Sequence, residues 1–333
     1  MQSPKVSVII VNFNGKNLLE KCLNSLFKID YNNFEVILVD NNSTDESVEF
    51  IIKNYPSIIP IKLDSNKGFA EPNNIGSKSA KGEYLLFLNN DTVVTPNFIS
   101  EMINVIQNNN QIGICQSLLL KPNNTVDSSG DFIDGLGVVF SSKKIPNEIE
   151  KISSAKGASL LIRKKLFSDL GGFDKKFFAT FEDVDLGWRT WILGYNVVIV
   201  PKSIVYHVGG QTINQLKSKI AFHGFKNQIS MKITNFETKL VLKKLIIFFI
   251  KYGFRELKIW MDYSITGTTT LTPTKYEEKI AKKPNFIIIL KSLFWIMTNS
   301  KYLMKKHHKI NSKRVLETKK LEELGVIFNN ILD

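Results

Sequence analysis

The segment EYLLFLNNDTVV at 83–94 passes from apolar to acidic at one point. Tyr84, Leu85, Leu86, Phe87 and Leu88 form a run too short for a typical helix and rich in strand formers, which predicts a strand buried on both faces. Asn89, Asn90, Asp91 and Thr92 follow. They set oxygen donors and one carboxylate at the strand's carboxyl end, where open α/β sheets bind ligands. Such donors suit a hard divalent cation beside substrate phosphates, the arrangement that eases departure of a diphosphate. The alternative is an Asx-rich turn that only ends a strand. A second group is Glu182, Asp183 and Asp185, at the start of a predicted helix bearing Leu186, Trp188, Trp191, Ile192 and Leu193. Acids there complement the helix dipole, which is their plainest explanation. Beside an aromatic ring such as Phe181, however, a carboxylate's pKa rises toward the range useful to a general base. His207, after the short strand Ile204–Tyr206, is a third candidate, although a single His is more often structural.

The elements that must position these groups alternate. Val6–Asn12, Phe34–Val39, Ile58–Leu63 and Glu83–Leu88 predict strands, and Asn17–Phe27, a segment from Val48, and Asn73–Ala80 predict the helices between them. Strands joined by helical crossovers give a parallel, doubly wound sheet. Asn12, Asp40, Asn66 to Gly68 and Asn90-Asp91 then fall along one edge, a nucleotide-type crevice built by distant loops. Gly15 stands alone where a dinucleotide fold needs three glycines, and no Walker A loop is present, so both of those classes are set aside. Beyond residue 112 the expected strands are Ile112–Leu120, Phe132–Phe140, Ala155–Ile162, Val197–Val200 and Ile204–Tyr206. This half is expected to shape an acceptor surface, with Gly157 leaving room for a bulky neighbour. Thr95 is a possible cap for the helix that Pro96 opens.

In order and spacing, eight segments over about residues 4–230 resemble glycosyltransferase family 2, the inverting GT-A group, and its rhamnosyltransferase-like branch in particular. They are VSVIIVNFNG at 6–15, VDNNSTD at 39–45, NKGFA at 66–70, Asn74 with Gly76, FLNNDT at 87–92, GGFDKKFF at 171–178, FEDVDLGWR at 181–189 and VYHVGG at 205–210. The resemblance implies a GT-A fold, a Rossmann-like doubly wound mixed sheet with flanking helices. It divides into a nucleotide-binding half at 1–112 and an acceptor half at 113–230. It implies a nucleotide-sugar donor such as a rhamnose, galactose or N-acetylglucosamine nucleotide, and a glycan or lipid-linked acceptor in cell-surface polysaccharide synthesis. Val11 and Asn12 would line the base pocket, and Asp40 would bind base or ribose. Asn66, Gly68, Asn74 and Asn90 would border the nucleotide. Asp91, like the last acid of the family's D-x-D, would hold Mg²⁺ or Mn²⁺ with His207. Asp183 would be the catalytic base, with Glu182 and Asp185 as fallbacks, and Gly157, Phe181, Asp185 and Trp188 belong to the acceptor region. Asn89 replaces the first acid of the metal motif, as it does elsewhere in that branch. This is read as tuning of metal affinity, and it also motivates the rival reading of a non-catalytic nucleotide-sugar or glycan-binding scaffold.

The chain has 333 residues and a net charge of +13, unevenly placed: residues 1–200 carry 20 Lys and Arg against 22 Asp and Glu, residues 201–333 carry 24 against 9. Nucleic acid is the weaker partner for this basic end, because its lysines interleave with aliphatic stretches and no nucleic-acid module accompanies them. Leu240–Tyr263 and Phe286–Met297 predict lysine-studded apolar helices within a C-terminal helical region, 231–333. Both are too interrupted for the roughly 20 apolar residues of a membrane span. In-plane attachment to an anionic membrane surface is expected, or else a homo-oligomer interface. Two cysteines and no leader-like start point to a reducing, cytoplasmic setting, on the inner face of the cell membrane.

Overall fold

A computed structural model describes residues 3–209, 217–251 and 286–328. Three βα repeats and a fourth strand open the chain: β1 (Val6–Asn12), α1 (Lys16–Leu26), β2 (Phe34–Asp40), α2 (Ser47–Asn54), β3 (Ile59–Lys62), α3 (Ala70–Ser79) and β4 (Tyr84–Asn89). They pair in parallel in the order β3-β2-β1-β4. Alternate side chains along β1, β2 and β4 enter two different cores. Ile9, Ile37, Leu85 and Phe87 pack on one face of the sheet, and Val8, Ile10, Leu38 and Leu86 on the other. Burial on both faces is why these strands read as unbroken apolar runs.

Past β4 the sheet becomes mixed. After β5 (Thr92–Val94), α4 (Phe98–Asn108), β6 (Ile112–Leu120), β7 (Val126–Ser128), β8 (Asp131–Asp134), β9 (Val139–Ser141) and β10 (Glu150–Lys151), strand β11 (Ser159–Arg163) inserts antiparallel between β4 and β6. Helices α5 (Lys164–Leu170) and α6 (Glu182–Ile192) lead to β12 (Asn196–His207), which runs parallel to β6. The expected strand 132–140 is instead the hairpin β8–β9: the Asp134 carboxylate accepts from the amides of Leu136 and Val138, both at 2.8 Å, and so closes a turn through Gly137. The two strands expected at 197–206 are one, offset by a bulge between Val200 and Ile204. Thr95 does not cap α4, which starts after Asn97; its hydroxyl donates to Ile204 O at 3.0 Å.

The C-terminal region is built into this core. Helix α7 (Lys217–Asn235) spans residue 230, so no chain break falls at the boundary expected from the sequence. A helical stretch at 238–251, then α8 (Phe286–Thr298), α9 (Ser300–Asn311) and α10 (Thr318–Glu323), precede β13 (Ile327–Phe328). β13 pairs in parallel with β8 to make a second, three-stranded sheet, β13-β8-β9. The region expected to be helical therefore includes a strand. The stretch Leu240–Tyr263 is described only to residue 251, and Gly210 lies outside the described residues.

Candidate active site

Register sets one side of the candidate site, where the sequence places the donor nucleotide. Asn12 pairs with Asp40 and Val11 with Asn89, so the carboxyl ends of β2, β1 and β4 finish in one row. Asn12 Nδ2 donates to Asp40 Oδ1 at 3.3 Å and Asn90 Nδ2 donates to Asn12 Oδ1 at 2.8 Å. Asp40 also accepts from the Ser43 hydroxyl at 2.6 Å and the Ser43 amide at 2.8 Å. Gly15 is required here, because a Cβ would meet the Asn90 amide and Asn12 Oδ1. The loop after β3 is tied down as well. Asn66 Oδ1 accepts from Gly68 N at 2.9 Å, Asn41 Nδ2 donates to Gly68 O at 2.7 Å, and Phe69 N donates to Phe178 O at 2.7 Å.

At Asp91 the chain leaves β4 and crosses as β5 to the end of β12, where Thr92 pairs with His207. This crossing puts His207 Nε2 3.3 Å from Asp91 Oδ1 and 3.4 Å from Asn89 Nδ2. The other ring nitrogen, Nδ1, is 2.8 Å from Asp127 Oδ2 on β7, and Asp91 Oδ2 accepts from Gly209 N at 3.1 Å. Burial alone would pull the imidazolium's pKa down, but the two flanking carboxylates outweigh it and raise it to about 9. Asp91 Oδ1 and His207 Nε2 are separated by about the spacing of adjacent donors on one cation with bonds near 2.1–2.2 Å. They fit such an ion, with other positions left for phosphate and water, and Asp127 orients the ring as a carboxylate partner of a metal-binding His does. Among the described residues no cluster of three His, Cys, Asp or Glu forms a self-sufficient cage.

Helix α6 decides between the three acids. Ten of its eleven residues are buried, and Asp183 is the exception. Its Oδ2 accepts from Gly157 N at 3.0 Å and its Oδ1 from Val184 N at 2.8 Å. Burial raises its pKa, the Lys156 ammonium opposes the rise, and Asp131 reinforces it. Lys156 pairs with Asp131 Oδ2 at 2.8 Å. Glu182 is buried with Oε2 unpaired among the described residues, and burial and then the charge of Asp183 push its pKa well up. Thr180 and Phe181, which lead into the helix, both have left-handed backbones, at φ 69 and 66. Strain of this kind persists only where surrounding structure holds it, as at functional sites. Asp183 lies close to the donor side: Gly157 bonds it, and the adjacent Ala158 O accepts from Asn89 N at 3.1 Å. One residue step of backbone thus joins the base candidate to the end of β4.

The model of the family described as Glycosyl transferase family 2 matches residues 7–171. The chain belongs to glycosyltransferase family 2. Among curated relatives, the O-antigen biosynthesis protein RfbC of Myxococcus xanthus is 30% identical over 221 residues, covering 62% of this chain; the chain spans only 17% of that protein. Among solved structures, S. aureus TarS 1–349 in complex with UDP superposes with a TM-score of 0.56 at 16% identity, over 99% of this chain and 94% of that one. Mannosyltransferase PcManGT from Pyrobaculum calidifontis, in complex with GDP-Man and Mn²⁺, superposes with a TM-score of 0.54 at 15% identity, over 94% and 86%. The GT-A fold expected from the sequence is the fold found.

Within this family 2 framework the residues singled out from sequence divide in two. The structure brings Asn12, Asp40 and Asn90 together, sets Asp91 beside His207, and leaves Val11, half-buried, next to Asn12. It also joins Gly157 to Asp183. Asn74, expected beside the nucleotide, spends both amide atoms on the backbone of Phe173, at 2.8 and 2.9 Å. Asp185 and Trp188, expected in the acceptor region, are both buried. Asp185 is 0% exposed and bound by Arg189 at 2.8 Å, Asn235 at 3.1 Å and Lys306 at 3.1 Å, and Trp188 is packed edge-on against Phe236. Sequence reasoning missed Asp127, Asp131, Lys156 and Ser43. Lys156 adjoins a glycine already singled out, but neither its spacing nor that of Asp127 carries a motif.

Proposed function

We propose that this chain is an inverting glycosyltransferase. It would move a hexose or related sugar, with rhamnose, galactose or N-acetylglucosamine as candidates, from a nucleotide diphosphate to a glycan or lipid-linked acceptor in cell-surface polysaccharide synthesis. The observation that carries the reading is the junction at Gly157–Ala158, which sets Asp183 against the strand end that leads to Asp91. Asn12, Asp40, Asn66, Gly68 and Asn90 bind and orient the donor nucleotide. Asp183 accepts the proton of the acceptor hydroxyl as that oxygen bonds to the anomeric carbon. The bond from that carbon to the diphosphate oxygen breaks on the opposite face, the electron pair leaves with the nucleoside diphosphate, and the configuration inverts. A divalent cation, Mg²⁺ or Mn²⁺, held by Asp91 and His207, would neutralise charge on the departing diphosphate.

Donor turnover across a panel of nucleotide sugars, with either cation and a defined acceptor library, tests this reading. We expect one donor to be consumed with metal dependence that is lost in Asp91→Ala. A scaffold that kept the fold would consume none, and metal-independent nucleotide binding would remove Asp91 from its role. For its setting we propose peripheral attachment to the cytoplasmic face of the cell membrane through the C-terminal helices. No helix among the described residues is long and apolar enough to cross a membrane.

A further inference from the structure

A cavity of about 860 Å³ opens between α9 on one side and α3, α5 and the 171–175 loop on the other. No residue assigned to the donor or the base lines it except Asn74, whose amide is committed to Phe173. Its floor is apolar, with Ile75, Leu85, Phe167, Leu170, Ile192 and Ile310. Its walls are cationic. Two of the cations have structural work: Lys306 pairs with Asp174 at 2.7 Å and Asp185 at 3.1 Å, and Arg189 with Asp185 at 2.8 Å. Lys164 gives its ammonium to Ala80 O at 2.5 Å. Lys78, Lys175, Lys305, Lys309 and Lys313 also line the cavity, and none has a side-chain hydrogen bond or ion pair among the described residues.

Lys305 and Lys309 lie one turn apart on α9, so each faces a like charge, and Lys313 follows in the turn just past the helix end. A like-charge pair at that spacing opposes helix formation. Of the carboxylates in the lining, Asp174 is held by Lys306 and Tyr302, and Asp169 by Lys165. That leaves Glu71 against five uncompensated ammonium groups in one concavity. An anion is what such walls would take up, and the apolar floor adds a demand for hydrocarbon that inorganic phosphate cannot meet. We propose that this groove binds a phosphate ester carrying an apolar group, with the phosphate among Lys305, Lys309 and Lys313 and the apolar part against Phe167, Leu170 and Ile310. An anionic lipid headgroup is the source favoured by the exposed apolar face of neighbouring α8. The site is distinct from sugar transfer and does not depend on that reading.

Isothermal titration of the full chain with monomeric dihexanoyl phosphatidic acid, inorganic phosphate and dihexanoyl phosphatidylcholine tests it. We expect one-to-one binding of the phosphatidic acid, weaker binding of inorganic phosphate and none of the zwitterionic lipid. The double substitution Lys309→Glu/Lys313→Glu should weaken binding at least about tenfold. Lys239→Glu/Lys320→Glu, which makes the same change in net charge on residues outside the groove, should not. Thermal unfolding of each variant controls for folding, and UDP binding in the same samples reports on the donor site separately. Phosphate binding as tightly as the lipid would overturn the apolar half of the proposal. Absence of binding, or equal loss in both double variants, would overturn the site.

Discussion

Asp183 is held at both carboxylate oxygens by backbone amides, from Gly157 and Val184, so its orientation is set by the fold and not by a substrate. Asp183→Asn keeps the shape and an acceptor for Gly157 N while removing the basic oxygen. Donor affinity should change little, and transfer should fall by at least about a hundredfold, the scale of lost general-base catalysis. Equal losses in binding and rate, measured by nucleotide titration and steady-state transfer, would exclude the role. The pH dependence follows from the surroundings. Burial raises the pKa of Asp183, and the base works only when deprotonated, so kcat/KM should fall as the medium is acidified at a pH above the ordinary Asp value of about 3.9. The limb belongs to the Glu182–Asp183 pair, which titrates together beside Lys156 and Asp131. Lys156 holds the value down, so Lys156→Gln, which removes the charge, should move the limb to higher pH. A limb that stays in place would remove Lys156 from the electrostatics of the base.

At the scale of elements, the loop 66–69 and the segment before α6 behave as one unit, since Phe69 N donates to Phe178 O and a Cβ at Gly68 would land on that same carbonyl. Gly68 also has φ +82. Gly68→Ala should therefore lower unfolding stability by about 2 kcal/mol or more and weaken nucleotide binding, as read by thermal melts and UDP titration. A variant with unchanged stability would show that the loop can part from Phe178. These junctions also mark where the sequence was readable. β1, β2 and β4 announced themselves because both faces are buried, and with them came the row of Asn12, Asp40 and Asn90. In α6 ten of eleven residues are buried, polar ones included, so its half-buried acid could not be told from Asp185, nor Trp188 from an acceptor contact. Asp91 and His207 were each legible as polar groups at strand ends. Their meeting depends on β5 crossing to β12, and Asp127 reaches His207 only through the β7–β6 pairing. Non-local pairing leaves no local period in a sequence.

Helix α7 ties the C-terminal region to the catalytic core with two buried lysines. Lys226 donates to Lys176 O at 2.6 Å and sits 4.3 Å from the Trp295 ring centroid. Lys232 donates to Gly137 O at 2.8 Å and lies 4.2 Å from the Phe248 ring centroid. Burial drives the pKa of Lys232 down to about 7, against the opposing charge of Asp134. Between that value and about 10.4 the unfolded chain binds a proton that the folded chain does not, so stability should rise with pH across this window. Lys232→Met should flatten that rise and raise stability by about 1–3 kcal/mol at pH 7. Chemical denaturation at several pH values measures both. An undiminished slope would mean the cation–π contact with Phe248 keeps the amine charged in the fold.

At the scale of the whole molecule, charge and grease gather at one end. Along α8, Ile287, Leu290, Phe294 and Met297 are 52–72% exposed at helical spacing, and Leu242, Ile246 and Ile250 form a second exposed row on the 238–251 helix. Residues 201–333 carry 24 Lys and Arg against 9 Asp and Glu. Two apolar rows within a cationic surface suit in-plane seating on an anionic bilayer, where each Lys or Arg near the surface contributes about 1 kcal/mol. Attraction of that kind is screened over about 8 Å at physiological salt. In flotation assays the protein should follow vesicles containing phosphatidylglycerol, ignore pure phosphatidylcholine, and be released by salt. Cutting the chain near Asn235 would be a poor control, because it removes β13 from the β8 sheet and Lys306 from Asp174 and Asp185. Leu290→Asp/Phe294→Asp is the better variant: both side chains are exposed, so folding and UDP binding should persist while flotation is lost. Flotation indifferent to salt and lipid charge would indicate deeper insertion. No flotation, together with dimers that this variant dissociates in sedimentation, would assign the apolar rows to an interface between two copies of the chain.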